Sequence, residues 1–354
     1  MSKAAELAAL IGSQSSLSNR NMIINGAAVI DQRNGGSSVT PTSSAYTLDR
    51  WLANVTAASK YSVQQSTVAP DNFTNSFLIT STSAYTPVSG DYMSFQTRIE
   101  ANNIAHVGWG SSAAKTVTLS FWVRSSLTGT FGGSFYFPAS TVRTHPFSYT
   151  INSANTWEYK TVNIVGDTVT NTAPTGNNLY VIVQWALGAG STYQTGTSGW
   201  QNGNYVAPSG VVDLVATSGA TLYITGVQLE VGEQATPFEH RSFGDELARC
   251  QRYYEKSYNQ ADSPATTTST NSLGRQIDDG SIQRDGIDFQ IIKRANPTVT
   301  IYNPTTGSTG SIRTNANVDY SATVFAIGEN RAIVYYTPAS GEFLFFHFTA
   351  DAEL

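Results

Sequence analysis

Charge is what this sequence has least of. Asp, Glu, Lys and Arg make up 13% of its 354 residues, about half the usual share. No block of Lys or Arg stands out and the net charge is −5, so the basic footprint of a nucleic-acid binder is absent. Cysteine is almost missing as well. Cys250 stands alone, so no disulfide can form within the chain. That fits folding in a reducing compartment. No apolar run is long enough for a membrane-spanning helix, and the first residues lack the basic and apolar blocks of a secretory signal. The four histidines, His106, His145, His240 and His347, stand at no metal-binding spacing from one another or from Cys250. No phosphate-binding loop, dinucleotide fingerprint or nucleophile elbow is present, and Gly132-Gly133 reads as a turn. The expectation is a protein with no cofactor, no metal and no catalytic residue, hence not an enzyme.

In place of charge the chain has Ser, Thr, Asn, Gly and Gln, together with 18 Tyr, 16 Phe and 6 Trp. Aromatic residues and Thr favour pleated strands, while Gly and Asn favour turns. So many aromatics can bury a core, which argues against disorder. This composition predicts an all-β protein.

Along the chain, residues 2–12 read as a short helix, with Ser2 as cap, Ala4, Leu7, Ala8 and Ile11 on one face and Gly12 as stop. Such a helix is too short to persist alone. Residues 1–20 are therefore expected to dock or oligomerise through Leu7, Leu10 and Ile11. From residue 21 to 241 short strands follow one another, with Val117, Leu119, Phe121 and Val123 alternating most clearly. Many short strands separated by Gly, Asn, Ser and Pro predict a jelly-roll β-sandwich. A helix is expected near 243–255 within a connecting segment 242–258. Ser242 and Asp245 make its capping box, and Phe243, Leu247, Cys250 and Tyr254 make its apolar face. Residues 259–354 read as a smaller C-terminal β domain.

Candidate binding residues follow from residue type. Sugar rings need aromatic faces for their C–H patches and planar polar groups for their hydroxyls. Tyr193, Trp200, Gln201, Asn202 and Tyr205 lie in a Gly/Ser/Thr-rich loop, where an exposed Trp is unusual without a ligand. His106 and Trp109, near Asn102 and Asn103, form a second candidate group. The alternative for both is packing over the sandwich edge or in a subunit interface. A glycan-cleaving enzyme needs two carboxylates across a sugar cleft, and Asp278, Asp279, Asp285 and Asp288 cluster in sequence. They read better as turn residues. Glu239, His240 and Arg241 read as structural bonds at the sandwich edge, and Asp49-Arg50 reads as an ion pair over the Trp51 indole.

Three segments stand together: Asn21-Met22-Ile23-Ile24-Asn25-Gly26 with Asp31-Gln32-Arg33; Leu48-Asp49-Arg50-Trp51; and residues 224–232 through Phe238-Glu239-His240-Arg241 to Cys250-Gln251-Arg252-Tyr253-Tyr254. They resemble the start and end of a jelly-roll module of bacteriophage tail fibres and related virion proteins. The sheet topology of that module is similar to that of carbohydrate-binding modules. The ending Phe348-Thr349-Ala350-Asp351-Ala352-Glu353-Leu354 resembles the C-terminus of such proteins. The resemblance covers most of residues 20–255 and the last residues. It implies assembly into a virion in the host cytoplasm, a homotrimer, and attachment to the phage tail or to adaptor or nozzle proteins through the N-terminal helix. It also implies adhesion to a host surface glycan or lipopolysaccharide. It supplies no active-site positions. A head fibre or capsid decoration protein, a depolymerase tail spike and a non-viral carbohydrate-binding module are the alternatives.

Overall fold

The computed structural model describes residues 19–277, 282–337 and 341–354. Strand makes up 43% of the chain and helix 7%, so the protein is all-β, built as a β-sandwich of jelly-roll type. The expected N-terminal helix, with Leu7, Leu10 and Ile11, lies outside the described residues, as do Asp278 and Asp279. The chain divides into two compact units. Among the described residues the first comprises residues 19–29, Thr40–Ala45 and Trp51–Ser242; the second comprises Ile30–Val39, Tyr46–Arg50 and the described part of Phe243–Leu354.

The first unit has two large antiparallel sheets beside a short parallel pair, Gln194–Thr195 with Ala207–Pro208. One runs from Trp51–Val55 through Tyr92–Glu100, Leu179–Ala189, Gly129–Phe137 and Arg143–Ile151 to the short Gln201–Asn202 strand. The other is ordered Tyr61–Ser66, Ser76–Ser81, Thr221–Val231, Val117–Ser125, Glu158–Ile164. Alternation puts one side-chain set of each sheet inward. The ring of Trp51 from the first sheet lies 4.4 Å from Phe77 of the second, and Trp185 lies 5.4 Å from Phe121. All four are buried, each worth about 1.5–3 kcal/mol in apolar burial. The Trp51 indole N–H donates to the Asn25 carbonyl (3.1 Å).

Gly132-Gly133 is not a turn. It sits inside the Gly129–Phe137 strand, paired with Ser148 and Phe147. A Cβ on Gly133 would run into the Gln184 carbonyl and meet the Phe147 ring at 2.7 Å, and one on Gly132 would meet Pro208 at 2.8 Å and Val211 at 3.0 Å; close approach of neighbouring groups is why a Gly pair interrupts an otherwise aromatic strand.

Glu239 and Arg241 hold residues 19–23, the edge role their position suggested. The Glu239 carboxylate accepts from Asn21 N–H (2.9 Å) and from Arg241 (3.1 Å), and Arg241 Nη1 donates to the Ile23 carbonyl (3.0 Å).

In the second unit the Phe343–Asp351 strand pairs with Tyr254–Lys256, Thr298–Tyr302, Leu273–Gln276 and Ser311–Thr314. Asp319–Ile327, Arg331–Tyr336 and Gln283–Asp288 extend the sheet. Ile287, Ile301, Ile312, Val334, Leu344 and Phe348 fill its core. The helix spans Phe243–Gln251. Its buried residues are Glu246 and Cys250, whereas Phe243 is 54% exposed. The apolar face therefore begins one turn later than the sequence pattern predicted. Burial pushes the Cys250 thiol pKa well up, so it stays protonated and unreactive.

Asp49 and Arg50 reach partners other than each other. Asp49 accepts from the backbone N–H (2.7 Å) and side chain (2.6 Å) of Gln32. Arg50 bonds Glu353 and lies over the Tyr253 ring, 3.5 Å from its centroid. The local reading failed because Glu353 and Tyr253 are distant in sequence.

Candidate functional site

The outer face of the first sheet is polar where a solvated sheet would carry charges. Pairing sets Leu52, Gln96, Gln184 and Ser134 side by side in one cross-strand row. Gln96, Gln184 and Ser134 are buried and joined by hydrogen bonds. Gln184 Nε2 donates to Ser134 Oγ (2.9 Å), Ser94 Oγ donates to Gln184 Oε1 (3.1 Å), and Ser134 Oγ donates to the Tyr205 carbonyl (2.7 Å). With its carboxamide oriented as its neighbours require, Gln96 donates to Gln184 Oε1 (3.3 Å) and accepts from Arg98 Nη2 (3.0 Å). Every buried amide in the row thus finds a partner, which fixes the floor rigidly.

Half-buried tyrosines belong to the same region. Tyr136 faces out beside Ile182 and Arg98 in the next cross-strand row. Tyr92 packs against Tyr193 with centroids 4.6 Å apart. Burial, with a further contribution from Tyr92, pushes the Tyr136 pKa up, so its hydroxyl stays protonated and can both donate and accept. Tyr193 and Tyr205 come from an excursion between two strands. Its course is set by the Gln194–Thr195 pairing with Ala207–Pro208 and by a bond from Val206 N–H to the Tyr193 carbonyl (2.8 Å). Ala186, Ala189, Val206 and Ala207 form a small core beneath it.

The other expected residues lie elsewhere. Trp200 covers the end of the sandwich: its ring meets Trp109 edge-to-face at 4.9 Å, and its indole N–H donates to the Val165 carbonyl (2.7 Å). Trp109 itself is only 2% exposed and donates to the Lys115 carbonyl (3.0 Å). It presents no face to a ligand, which corrects its assignment as a binding residue; it is core, packed edge-to-face against Phe135 and Phe137 and tilted against Tyr180. Gln201 and Asn202 form an edge strand held by Arg143. Arg143 donates to Asn202 Oδ1 (2.9 Å) and makes a bidentate pair with Asp167 (2.8 and 3.0 Å). His145 is packed by the Trp200 ring at 5.4 Å, and burial lowers its pKa. His106 is exposed on the turn Ala105–Val107, its pKa lowered by partial burial and then by Lys115.

Of the expected set, the structure brings Tyr193 and Tyr205 to the polar face, and Trp200 together with Trp109 at the sandwich end. Sequence reasoning missed Tyr92, Tyr136, Gln96, Arg98 and Gln184. The signal was there in Tyr92-Met93-Ser94-Phe95-Gln96-Thr97-Arg98, whose polar members alternate with core residues.

Of the carboxylate cluster, Asp285 and Asp288 lie on one strand three positions apart, hence on opposite faces. Asp285 binds Arg275 and the Tyr336 hydroxyl, while Asp288 pairs with Arg331 Nη2 (3.0 Å).

No protein-family model matches the chain, and no curated protein matches its sequence. Several solved structures are similar. The enzymatically active domain of tailspike protein 4 from bacteriophage CBA120 is 14% identical with a TM-score of 0.34; the likeness covers 60% of this chain and 22% of that one. A protein from Bacteroides thetaiotaomicron, described as a putative sugar binding protein, is 12% identical (TM-score 0.35), covering 60% of this chain and 100% of that one. The module TmCBM61, solved in complex with beta-1,4-galactotriose, is 7% identical (TM-score 0.31), with 60% and 99% covered. At these scores the likenesses carry no argument about ligand or activity, which is left to the side chains.

Proposed function

We propose that the chain is a non-catalytic adhesin that binds saccharides, carried on a phage particle as a tail fibre. The observation that supports the saccharide reading is the outer face of the first sheet: Tyr92, Tyr136 and Tyr193 on the same side as a hydrogen-bonded floor of Gln96, Gln184 and Ser134. A sugar offers C–H patches to aromatic faces and a rim of hydroxyls to the Arg98 guanidinium and the phenols that stand over the buried floor. A satisfied floor keeps these groups in place before binding. Single-site affinity for such a surface is modest, and several copies acting together raise it; a trimer meets that need. The placement on a tail fibre, with residues 1–20 as the attachment segment, is supported by the segments 21–33, 48–51 and 224–254 and their resemblance to phage virion proteins. The placement of Asp285 and Asp288 on opposite faces of one strand favours adhesion over glycan cleavage.

Titration of the full chain with oligosaccharides drawn from a glycan array is expected to show binding that weakens about tenfold or more in Tyr193→Ala, a loss of about 1.4 kcal/mol. No reducing ends are expected on long incubation with the same glycans. Steady release of reducing ends would overturn the non-catalytic reading, and undiminished binding by Tyr193→Ala would remove this face from the site. Antibody to the chain is expected to label tail fibres of particles that carry its gene; label confined to the capsid would give the head-fibre alternative instead.

A further inference from the structure

We infer that the sandwich carries a second saccharide site, on the outer face of its other sheet. This rests on the saccharide reading above but on different residues. A cleft of about 730 Å³ opens there, within the range of ligand sites. Two aromatic groups line it. Trp122 and Tyr159 pair across neighbouring strands with centroids 5.4 Å apart. Opposite in kind are Phe73, Phe238 and His240, whose rings meet at 5.2, 5.2 and 4.9 Å. Tyr159 is 43% exposed and Trp122 only partly buried. Large rings held open on a solvated sheet face point to an interaction.

The backbone is bent to hold them. Pairing of Thr221–Val231 with Val117–Ser125 slips between Thr225 and Gln228, and Gly226 at this bulge has φ +60°. A Cβ on Gly226 would lie 2.6 Å from the Phe73 ring and 3.2 Å from Trp122. The missing side chain is what lets both rings approach the floor. The adjoining wall is fixed too. Thr236 donates to Glu230 through N–H (2.8 Å) and hydroxyl (2.7 Å), and Glu239 N–H donates to Gln228 Oε1 (2.8 Å). The site is therefore pre-organised.

The lining names the ligand class. Asp71, Asn72 and Thr236 supply polar groups beside the rings, and no Lys or Arg is among the lining residues. An anionic ligand would face Asp71 and would meet no permanent positive charge in the cleft lining, where His240 is the one basic side chain. A lipid or an apolar helix would find few aliphatic surfaces. A neutral saccharide chain matches both halves of the lining. The platform also continues past the cleft: Tyr223 faces Arg124 across the same sheet, with Trp157 6.1 Å from Tyr223. That gives room for a chain longer than the cleft itself.

The test is calorimetric titration of the full chain with neutral glucan, galactan and mannan oligosaccharides, and with acidic ones as a control. Wild type is expected to bind a neutral oligosaccharide at two sites per chain. Tyr159→Ala and, separately, Asp71→Ala are expected to reduce this to one, with the remaining affinity unchanged. Tyr193→Ala is expected to remove the other site. Both Tyr159 and Asp71 are exposed, and an unchanged tryptophan-fluorescence unfolding curve checks the fold of each variant. Unchanged stoichiometry and affinity in both variants would overturn the second site while leaving the first intact. A preference for acidic glycans at this cleft would overturn the neutral assignment. Binding of none of the oligosaccharides by wild type would overturn the saccharide reading as a whole.

Discussion

Gly226 carries two duties that no other residue type can combine. Its φ of +60° lies in the left-handed region, and its bare Cα leaves space for Phe73 and Trp122. An L-residue there pays roughly 1–2 kcal/mol in backbone strain, and a methyl 2.6 Å from the Phe73 ring adds overpacking. Gly226→Ala is therefore expected to lower stability by about 2–4 kcal/mol. All six tryptophans (51, 109, 122, 157, 185 and 200) fall in the first unit, so denaturant unfolding followed by tryptophan fluorescence reads that unit directly. A variant with an unshifted midpoint would show that the bulge relaxes freely and that the rings are not held by it. In sequence, Gly226 reads as one more small residue in an alternating strand. Its φ becomes legible only once the register slip against Val117–Ser125 is known.

The turn between Arg143–Ile151 and Glu158–Ile164 shows how one carboxylate organises an element. Glu158 Oε1 accepts from the backbone N–H of Asn152 (2.8 Å) and Ser153 (2.9 Å), and Oε2 accepts from Lys160 (2.6 Å). Burial alone would raise the Glu158 pKa, but Lys160 and the turn N–H groups outweigh it and hold the carboxyl at about 2. A folded pKa below the unfolded value, about 4.3, means stabilisation that is complete above that value and fades as pH falls toward 2. Solvent screening limits it to about 1 kcal/mol. Wild type is thus expected to lose more stability than Glu158→Gln between pH 5 and pH 2.5, with the difference read from thermal midpoints; parallel curves would deny the clamp any role. Elements differ in how far the sequence reveals them. Val117–Ser125 and Thr221–Val231 show clear alternation, because each sends apolar side chains to the core and mostly polar or aromatic ones to the other face, although much of that face is covered as well. Arg143–Ile151 is hidden by Pro146, which a strand tolerates at a position where its missing N–H is not needed. The Gln96–Gln184–Ser134 row is hidden for a different reason. Each residue is unremarkable within its own strand, and only cross-strand register makes them one floor.

At the scale of the whole chain, the second unit is assembled from both ends of the sequence. Ile30–Val39 and Tyr46–Arg50 belong to it, although some 190 residues separate them from Phe243. The motifs Asp31-Gln32-Arg33 and Leu48-Asp49-Arg50 are explained by what they meet there. Arg33 pairs with Asp351 (2.9 Å) and Glu353 (3.2 Å) and lies over Tyr254, and the Arg50 N–H donates to Glu353 (3.1 Å). Arg294 donates to the Ala352 and Glu353 carbonyls (2.9 Å each), and the Tyr46 hydroxyl donates to the Leu354 carbonyl (2.9 Å). The last four residues thus complete a buried ionic network, and a local reading of Asp49-Arg50 could not find partners three hundred positions away. Removing one side of such a network strips buried guanidinium groups of close countercharges, at a cost of about 3–5 kcal/mol. Deleting Asp351-Ala352-Glu353-Leu354 is expected to destabilise the second unit by that order. Glu353→Gln, which keeps the shape and loses the charge, is expected to fall between wild type and the deletion variant. The measurement is limited proteolysis with mass mapping: in the deletion variant, cleavage between residues 254 and 350 should accelerate at least tenfold. If the shortened chain resists protease as well as the full one, the Arg33, Arg50 and Glu353 contacts are dispensable and the core around Ile301, Leu344 and Phe348 holds the unit together unaided.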